Sequence, residues 1–176
     1  AGHETYARAV THRFHFPAEG SRVAVNLIYY TGNEDMPPKP ILDAVRGTFG
    51  NIPRVGAIVE GSNGLLSSGL WNTECYLKLK DDKKFMGHAK HGDAAGIPIT
   101  LPRIRDHFEE WTDAILGKGK TFAPFSLGGQ LTEIGLSGIV ALKLQNNLDW
   151  DGPAMKARGL PEASNYVNKK NRKEWL

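Results

Sequence analysis

The sequence predicts an α+β fold, a mostly antiparallel open sheet with helices packed on one face. Three observations predict it. Short stretches of alternating apolar and polar residues occupy the first eighty positions, two stretches with helical spacing follow residue 103, and strand-like sequence therefore precedes helix-like sequence. That order suits helices laid on a sheet better than a strand–helix alternation with parallel strands.

The elements follow in order. In ARAVTHRFHF (7–16), Arg8, Val10, His12, Phe14 and Phe16 fall on one face of a strand, and Ala7, Ala9, Thr11, Arg13 and His15 on the other. A turn at PAEG (17–20) leads to RVAVNLIYY (22–30), rich in β-branched and aromatic residues, and the two strands are predicted to pair antiparallel. The pattern breaks from Thr31 to Pro53, where MPPKP (36–40) suits neither a sheet interior nor a helix interior, so a long irregular loop is expected. GAIVEGSNGLLSSG carries a hairpin signal, with strands Ala57–Glu60 and Leu65–Ser67 around a Gly-Ser-Asn-Gly turn. ECYLKLK (74–80) alternates again, with Tyr76 opposite Cys75, Leu77 and Leu79, and the turn-rich stretch that follows, to Arg103, is expected to be exposed.

Ile104, Phe108, Trp111 and Ile115 recur at +4, +3 and +4, one face of a helix that Gly117 and Gly119 end. A second helix is expected over roughly 129–144. Its apolar residues Leu131, Ile134, Val140 and Leu142 are interleaved with Gly135, Ser137, Gly138 and Ala141, which predicts close cover on more than one side.

Composition sets the outer bounds. The 176 residues, 40% hydrophobic and 23% charged, predict one domain over 1–176. No apolar run is read as approaching the ~20 residues of a bilayer span, so no membrane partner is expected. The N-terminus lacks an initiator Met and a leader pattern and soon enters strand-like sequence, as a piece of a longer protein would. The lone Cys75 excludes an internal disulfide and a Cys-clustered zinc site. Much of the net charge of +3 sits in the tail NKKNRKEWL, which is read as a solvated helix end rather than a nucleic-acid contact.

The candidate chemical groups each have a plainer structural reading. His88, His91 and Asp93 form H-x-x-H-x-D, atoms that zinc accepts, but a turn-rich loop does not fix them and no second cluster lies near. His107 and Glu110, with Asp106 adjacent, are spaced for an acid–base pair, yet His107 borders the Phe108/Trp111 stripe, where a half-buried, hydrogen-bonded histidine is the commoner outcome. His12 and His15 fall on opposite faces of their strand. Cys75 reads as inert packing. Gly128-Gly129 ahead of a helix would seat an anion on free N–H groups or simply allow close packing. Trp71, Tyr29 and Tyr30 would stack on sugar rings if exposed, although core packing is commoner for aromatics beside strands. There is no Walker loop, no G-x-G-x-x-G after a strand and no G-x-S-x-G. The expectation is therefore no catalytic, cofactor-binding or metal residue in this chain.

The C-terminal half resembles the end of bacterial oxidoreductases of the Gfo/Idh/MocA family. The likeness rests on GGQLTEIGLSGIVALKL followed by LDWDGPAMKARGLPEASNYVNKKNRKEWL, which keep Gly128, Gly129, Leu131, Thr132, Glu133, Leu148, Trp150, Asp151, Pro161, Glu162, Ala163, Asn165, Arg172 and Trp175 of the family pattern. Ser164 before Asn165, and Asn171 where an aromatic is usual, depart from it. His107, Glu110 and Trp111 also look like the family's His-x-x-Glu-Trp helix, and the hairpin resembles its Gly-x-x-Gly turn. The likeness spans about 7–176 and is strongest from 103 onward.

The resemblance implies a C-terminal domain that shapes a substrate pocket and an oligomer interface. The partner it implies is an N-terminal Rossmann domain, absent from this chain, that binds NAD or NADP and carries the Glu-Lys-Pro motif. The implied substrate is a small sugar or polyol, the implied assembly a homo-oligomer through a sheet face, and the isolated domain is expected to be inactive. A free-standing carbohydrate- or protein-binding module is the alternative. The 128–152 stretch is expected to be scaffold, with Trp150 and Asp151 pinning the tail to the body.

Overall fold

The computed structural model describes residues 7–32, 36–71, 74–103 and 106–168. In chain order these form β1 (Val10–Phe16), β2 (Val25–Thr31), α1 (Lys39–Phe49), β3 (Ala57–Gly61), β4 (Gly64–Ser68) and β5 (Cys75–Leu79). There follow β6 (Met86–Gly87), α2 (Gly92–Ala95), α3 (His107–Ile115), α4 (Phe125–Leu144), β7 (Asp149–Asp151), β8 (Lys156–Arg158) and α5 (Ser164–Val167). The fold is α+β, with every strand pair antiparallel and no closed barrel. The strands are shared among three sheets, β1–β2, β3–β4–β5–β6 and β7–β8. Two compact units result, one from the described residues of 1–33 and 103–176, the other from those of 34–102.

In the first unit, β1 and β2 pair in the register Val10↔Thr31, His12↔Tyr29, Phe14↔Leu27, Phe16↔Val25. The pair is locked at one end by the Thr31 hydroxyl, which accepts from the Val10 N–H at 3.2 Å and donates to its carbonyl at 3.1 Å. Cross-strand partners share a face, so the row beginning at Val10 is joined by Leu27 and Tyr29. That row is the face beneath α4. At Gly138 of α4, an added Cβ would lie 2.8 Å from His12 Nδ1 and 3.0 Å from Phe14 Cζ.

Helix α4 begins four residues before the expected start at 129, because Pro124 supplies an extended lead-in and its carbonyl accepts from Leu127 and Gly128, both at 3.0 Å. It is not covered on several sides. Gly138 and Val140 are buried, whereas Leu131 and Leu136 are exposed and a Cβ at Gly128, Gly129 or Gly135 would meet nothing within 4 Å. By length and composition α4 is also apolar enough to cross a membrane, which amends the reading that no apolar run approaches that length. Helix α3 is N-capped by Asp106, a role the sequence reading did not assign: its Oδ1 accepts from the N–H groups of Phe108 and Glu109 at 2.8 and 3.2 Å. Its Phe108, Trp111 and Ile115 remain exposed, and Ile104 falls outside the described residues.

The second unit corrects the sequence reading most. The expected irregular loop contains α1, an eleven-residue helix. Its prolines stand at its start, Pro38 at the N-cap and Pro40 in the first turn, where a missing N–H costs nothing. Ile41, Val45 and Phe49 then recur at +4 on one face. The hairpin β3–β4 has the expected two-residue turn, Ser62-Asn63, with Gly61 opposite Gly64. Gly64 is required there, since a Cβ would overlap the Lys78 carbonyl oxygen of β5. Nor is the stretch after β5 wholly exposed, because Phe85 and His91 are both 3% exposed. The Phe85 ring stacks on Phe49 at 5.9 Å, Phe49 meets Tyr76 edge-on at 4.9 Å, and the Phe85 N–H donates to Thr48 Oγ1 at 3.0 Å. With buried Val45 these residues form the small core between α1 and the sheet.

Candidate functional site

The most site-like feature of the first unit is a cleft of about 760 Å³ between the β1–β2 pair and α4. Val10, His12, Phe14, Leu27 and Tyr29 form one wall, and Leu131, Ile134, Ile139 and Leu142 the other. Alternation on the strands and the i, i+3, i+4 spacing on the helix bring these apolar side chains together. Lys143 is the one charged residue among the described residues lining it. His12 is set against Gly138, with its ring tilted 31° to Phe14 at 6.1 Å. Burial pushes the His12 imidazole below its ordinary pKa by disfavouring the cation.

A pH dependence follows from that shift. With the folded pKa lowered, the unfolded chain binds more protons in the window just below pH 6.5, so the folded state loses stability as pH falls through it. Denaturant melts at pH 7.5 and 5.5 should show a smaller acid-induced loss in His12→Gln than in the parent protein. An equal loss in both would count against it.

A second constellation ties the C-terminal segment to α4. The Trp150 indole N–H donates to Glu133 Oε1 at 2.7 Å, and a Cβ at Gly152 would lie 3.2 Å from the same oxygen. Arg158 on β8 bridges to β7, donating to Asp151 Oδ2 at 2.9 Å and Asp149 Oδ1 at 3.3 Å. The Asp151 carboxyl is held below its usual range by the Ala154 N–H and then by Arg158. Trp150 thus ties the segment to α4 through Glu133, as expected, whereas Asp151 braces the β7–β8 hairpin through Arg158. Ala163, 1% exposed in the turn Pro161–Ala163, packs tightly in the same segment, while Asn171, Arg172 and Trp175 of the resemblance, with the basic tail from residue 169, fall outside the described residues.

Of the other sequence candidates, His91 and Asp93 meet, with Nδ1 and Oδ2 3.7 Å apart. His88 Nδ1 lies 3.3 Å from the Cys75 carbonyl. His91 faces elsewhere: its Nε2 is 2.8 Å from Asp82 Oδ2 and its Nδ1 accepts from the Asp93 N–H at 3.2 Å, capping α2. Hydrogen bonds from His91 first, and then from the Leu79 N–H, hold the Asp82 carboxyl below its usual range. Among the described residues no group of three or more His, Cys, Asp or Glu is placed to hold a metal. Asp82, the partner that explains His91, escaped the sequence reading; it is nine residues away, and no local periodicity signals such a pair.

His107 is exposed rather than half-buried and touches the Phe108 ring at 4.5 Å. Glu110 binds the turn after α3, accepting from the Phe122 N–H, and the Thr121 hydroxyl leads the contacts that lower its pKa. It serves as a brace for that turn. His12 and His15 do lie on opposite faces, His15 pairing with Asn26 at 2.7 Å. Cys75 is half-buried in β5. The Gly128 N–H is bonded to Pro124 within α4, so the Gly-Gly pair is helix interior rather than a free anion cradle. Trp71 is 79% exposed and Tyr29 57%, while Tyr30 is half-buried.

Comparison of the chain with protein-family models, with curated proteins and with solved structures returns no match.

Proposed function

We propose that the chain is the C-terminal substrate-pocket and oligomerisation domain of a two-part NAD(P)-dependent oxidoreductase resembling the Gfo/Idh/MocA family, acting on a sugar or polyol and inactive alone. The observation that carries this reading is the Glu133–Trp150 bond. These residues belong to the two halves of the sequence likeness, Gly-Gly-x-Leu-Thr-Glu and Leu-x-Trp-Asp, seventeen positions apart. A direct bond between them gives a physical reason for the two motifs to occur together. Asp151 and Ala163, also in the likeness, are likewise structural, one paired with Arg158 and the other buried.

The chain's own contribution is walls and rigidity. Hydride transfer would be supplied by the nicotinamide of the Rossmann partner. The described residues offer no glycine-rich strand-to-helix turn for its phosphates, and the one Gly-Gly pair lies inside α4. Ile28, exposed on the face of β2 opposite the Phe14/Leu27 row, supports an oligomer that covers that sheet face. Neither nucleic acid nor membrane enters this reading. Glu133 near the middle of α4 argues against a membrane span, since a carboxylate there is costly.

Titration calorimetry with NAD and NADP should give no heat of binding at micromolar cofactor, and no dehydrogenase activity should accompany a sugar or polyol panel. Micromolar affinity would overturn the assignment. The alternative, a free-standing carbohydrate-binding module, draws support from the exposed Trp71, a flat apolar face of the kind that stacks on sugar rings. Quenching of its fluorescence by sugars, lost in Trp71→Ala, would favour that reading.

A further inference from the structure

His91 is a titratable side chain buried in the 34–102 unit, and both of its ring nitrogens are engaged. Nε2 lies 2.8 Å from Asp82 Oδ2, an oxygen that also accepts from the Leu79 N–H at 2.7 Å. Nδ1 accepts from the Asp93 N–H at 3.2 Å and so caps α2. A ring nitrogen that accepts a hydrogen bond carries no proton, so the one proton of the neutral imidazole sits on Nε2 and points at Asp82. The Asp93 carboxylate lies on the other side: its Oδ2 is 3.7 Å from Nδ1, beyond hydrogen-bond range, on a side chain 74% exposed that can turn. Nδ1 therefore has two mutually exclusive partners on one residue. The Asp93 N–H needs the nitrogen bare, and the Asp93 carboxylate needs it protonated.

We propose that His91 is a proton-operated latch: neutral, it caps α2 through the Asp93 N–H, and protonated at Nδ1, it gives up that cap and donates to the Asp93 carboxylate while keeping its bond to Asp82. One proton is taken from solvent onto Nδ1, and the released N–H passes to water. The charged groups facing the ring are Asp82, from the turn after β5, and Asp93, from the first turn of α2, while Lys78 on β5 acts on Asp82. His88 is turned to the Cys75 carbonyl instead. Hydrogen bonds from His91 and then from the Leu79 N–H keep Asp82 ionised while a histidine titrates, so Asp82 is the fixed end of the latch. The moving end is α2, whose four residues, Gly92–Ala95, owe much of their order to a single cap. None of these residues belongs to the family likeness, so the latch and the oxidoreductase reading can fail separately.

The test is nuclear magnetic resonance of the full chain, labelled with ¹⁵N and ¹³C, across the range in which histidines titrate. At the neutral end, long-range proton–nitrogen correlations should show His91 with Nδ1 bare and the proton on Nε2. As acid is added, Nδ1 should become protonated, and the Asp93 amide and carboxyl carbon should shift with the same midpoint. The protection factor of the Asp93 amide, which removes the intrinsic pH dependence of exchange, should fall about fivefold, the factor a typical cap is worth. His91→Gln, which cannot be charged, should leave that amide insensitive to pH. If the variant does not fold, the parent protein's resonances decide alone. A neutral-end tautomer with the proton on Nδ1, an Asp93 amide that follows His88 or stays unchanged as His91 titrates, or pH sensitivity retained in His91→Gln would overturn the proposal. So would a His91 ring that stays neutral until the whole unit unfolds.

Discussion

Phe85→Ala is expected to destabilise the 34–102 unit by about 3–5 kcal/mol, the cost of emptying a buried aromatic site. Phe85 is 3% exposed and stacks on Phe49, which meets Tyr76, so its removal strips contacts from a chain of three rings. The unit has few other buried apolar side chains to compensate, Val45 being the other one buried as deeply among its described residues. A domain this small has only several kcal/mol of stability in total. Hydrogen exchange of the β4 and β5 amides is the measurement, and their protection should collapse in the variant. Near-parental protection would mean that Phe85 is not the keystone of this core. Phe85→Leu, which keeps most of the apolar volume, should lose much less.

Gly138→Leu is the second large effect. Even its Cβ would crowd His12 Nδ1 at 2.8 Å and Phe14 Cζ at 3.0 Å, both ring atoms held against α4. Overpacking of this kind costs about 1–3 kcal/mol, which outweighs the gain of roughly 0.8–1.0 kcal/mol from removing a helical glycine. The reverse sign is expected three residues earlier. A Cβ at Gly135 meets nothing within 4 Å, so Gly135→Ala should stabilise by about 0.5–1 kcal/mol through propensity alone. Denaturant melts of the two variants should therefore move in opposite directions. Movement in the same direction would show that α4 does not rest on the β1–β2 pair at Gly138.

The contrast between these glycines shows what the sequence carried and what it did not. Small residues along α4 were legible as a pattern, but a pattern cannot say which of them meets another element. Of the glycines, Gly138 does so, and Gly128, Gly129 and Gly135 stand open. The alternation in 7–16, the Gly-Ser-Asn-Gly turn and the Phe108/Trp111/Ile115 stripe were readable because each is a local periodicity or a turn requirement. Helix α1 replaces the expected loop because prolines break a helix interior but suit a helix start, and the Ile41/Val45/Phe49 spacing is present in the sequence. His91 is buried although the sequence around it is polar and turn-rich. Its burial depends on Asp82, and a long-range hydrogen-bond partner leaves no local signature. The cleft is a product of tertiary placement; each wall was visible, but not their meeting.

We propose that this polypeptide supports a catalyst whose electron-handling half lies outside it. Sequencing the DNA immediately 5′ of the Ala1 codon tests this most directly. The expected result is an open frame running upstream into a strand, a glycine-rich turn and a helix of a dinucleotide-binding domain. A start codon followed by a secretory leader directly before Ala1 would contradict it.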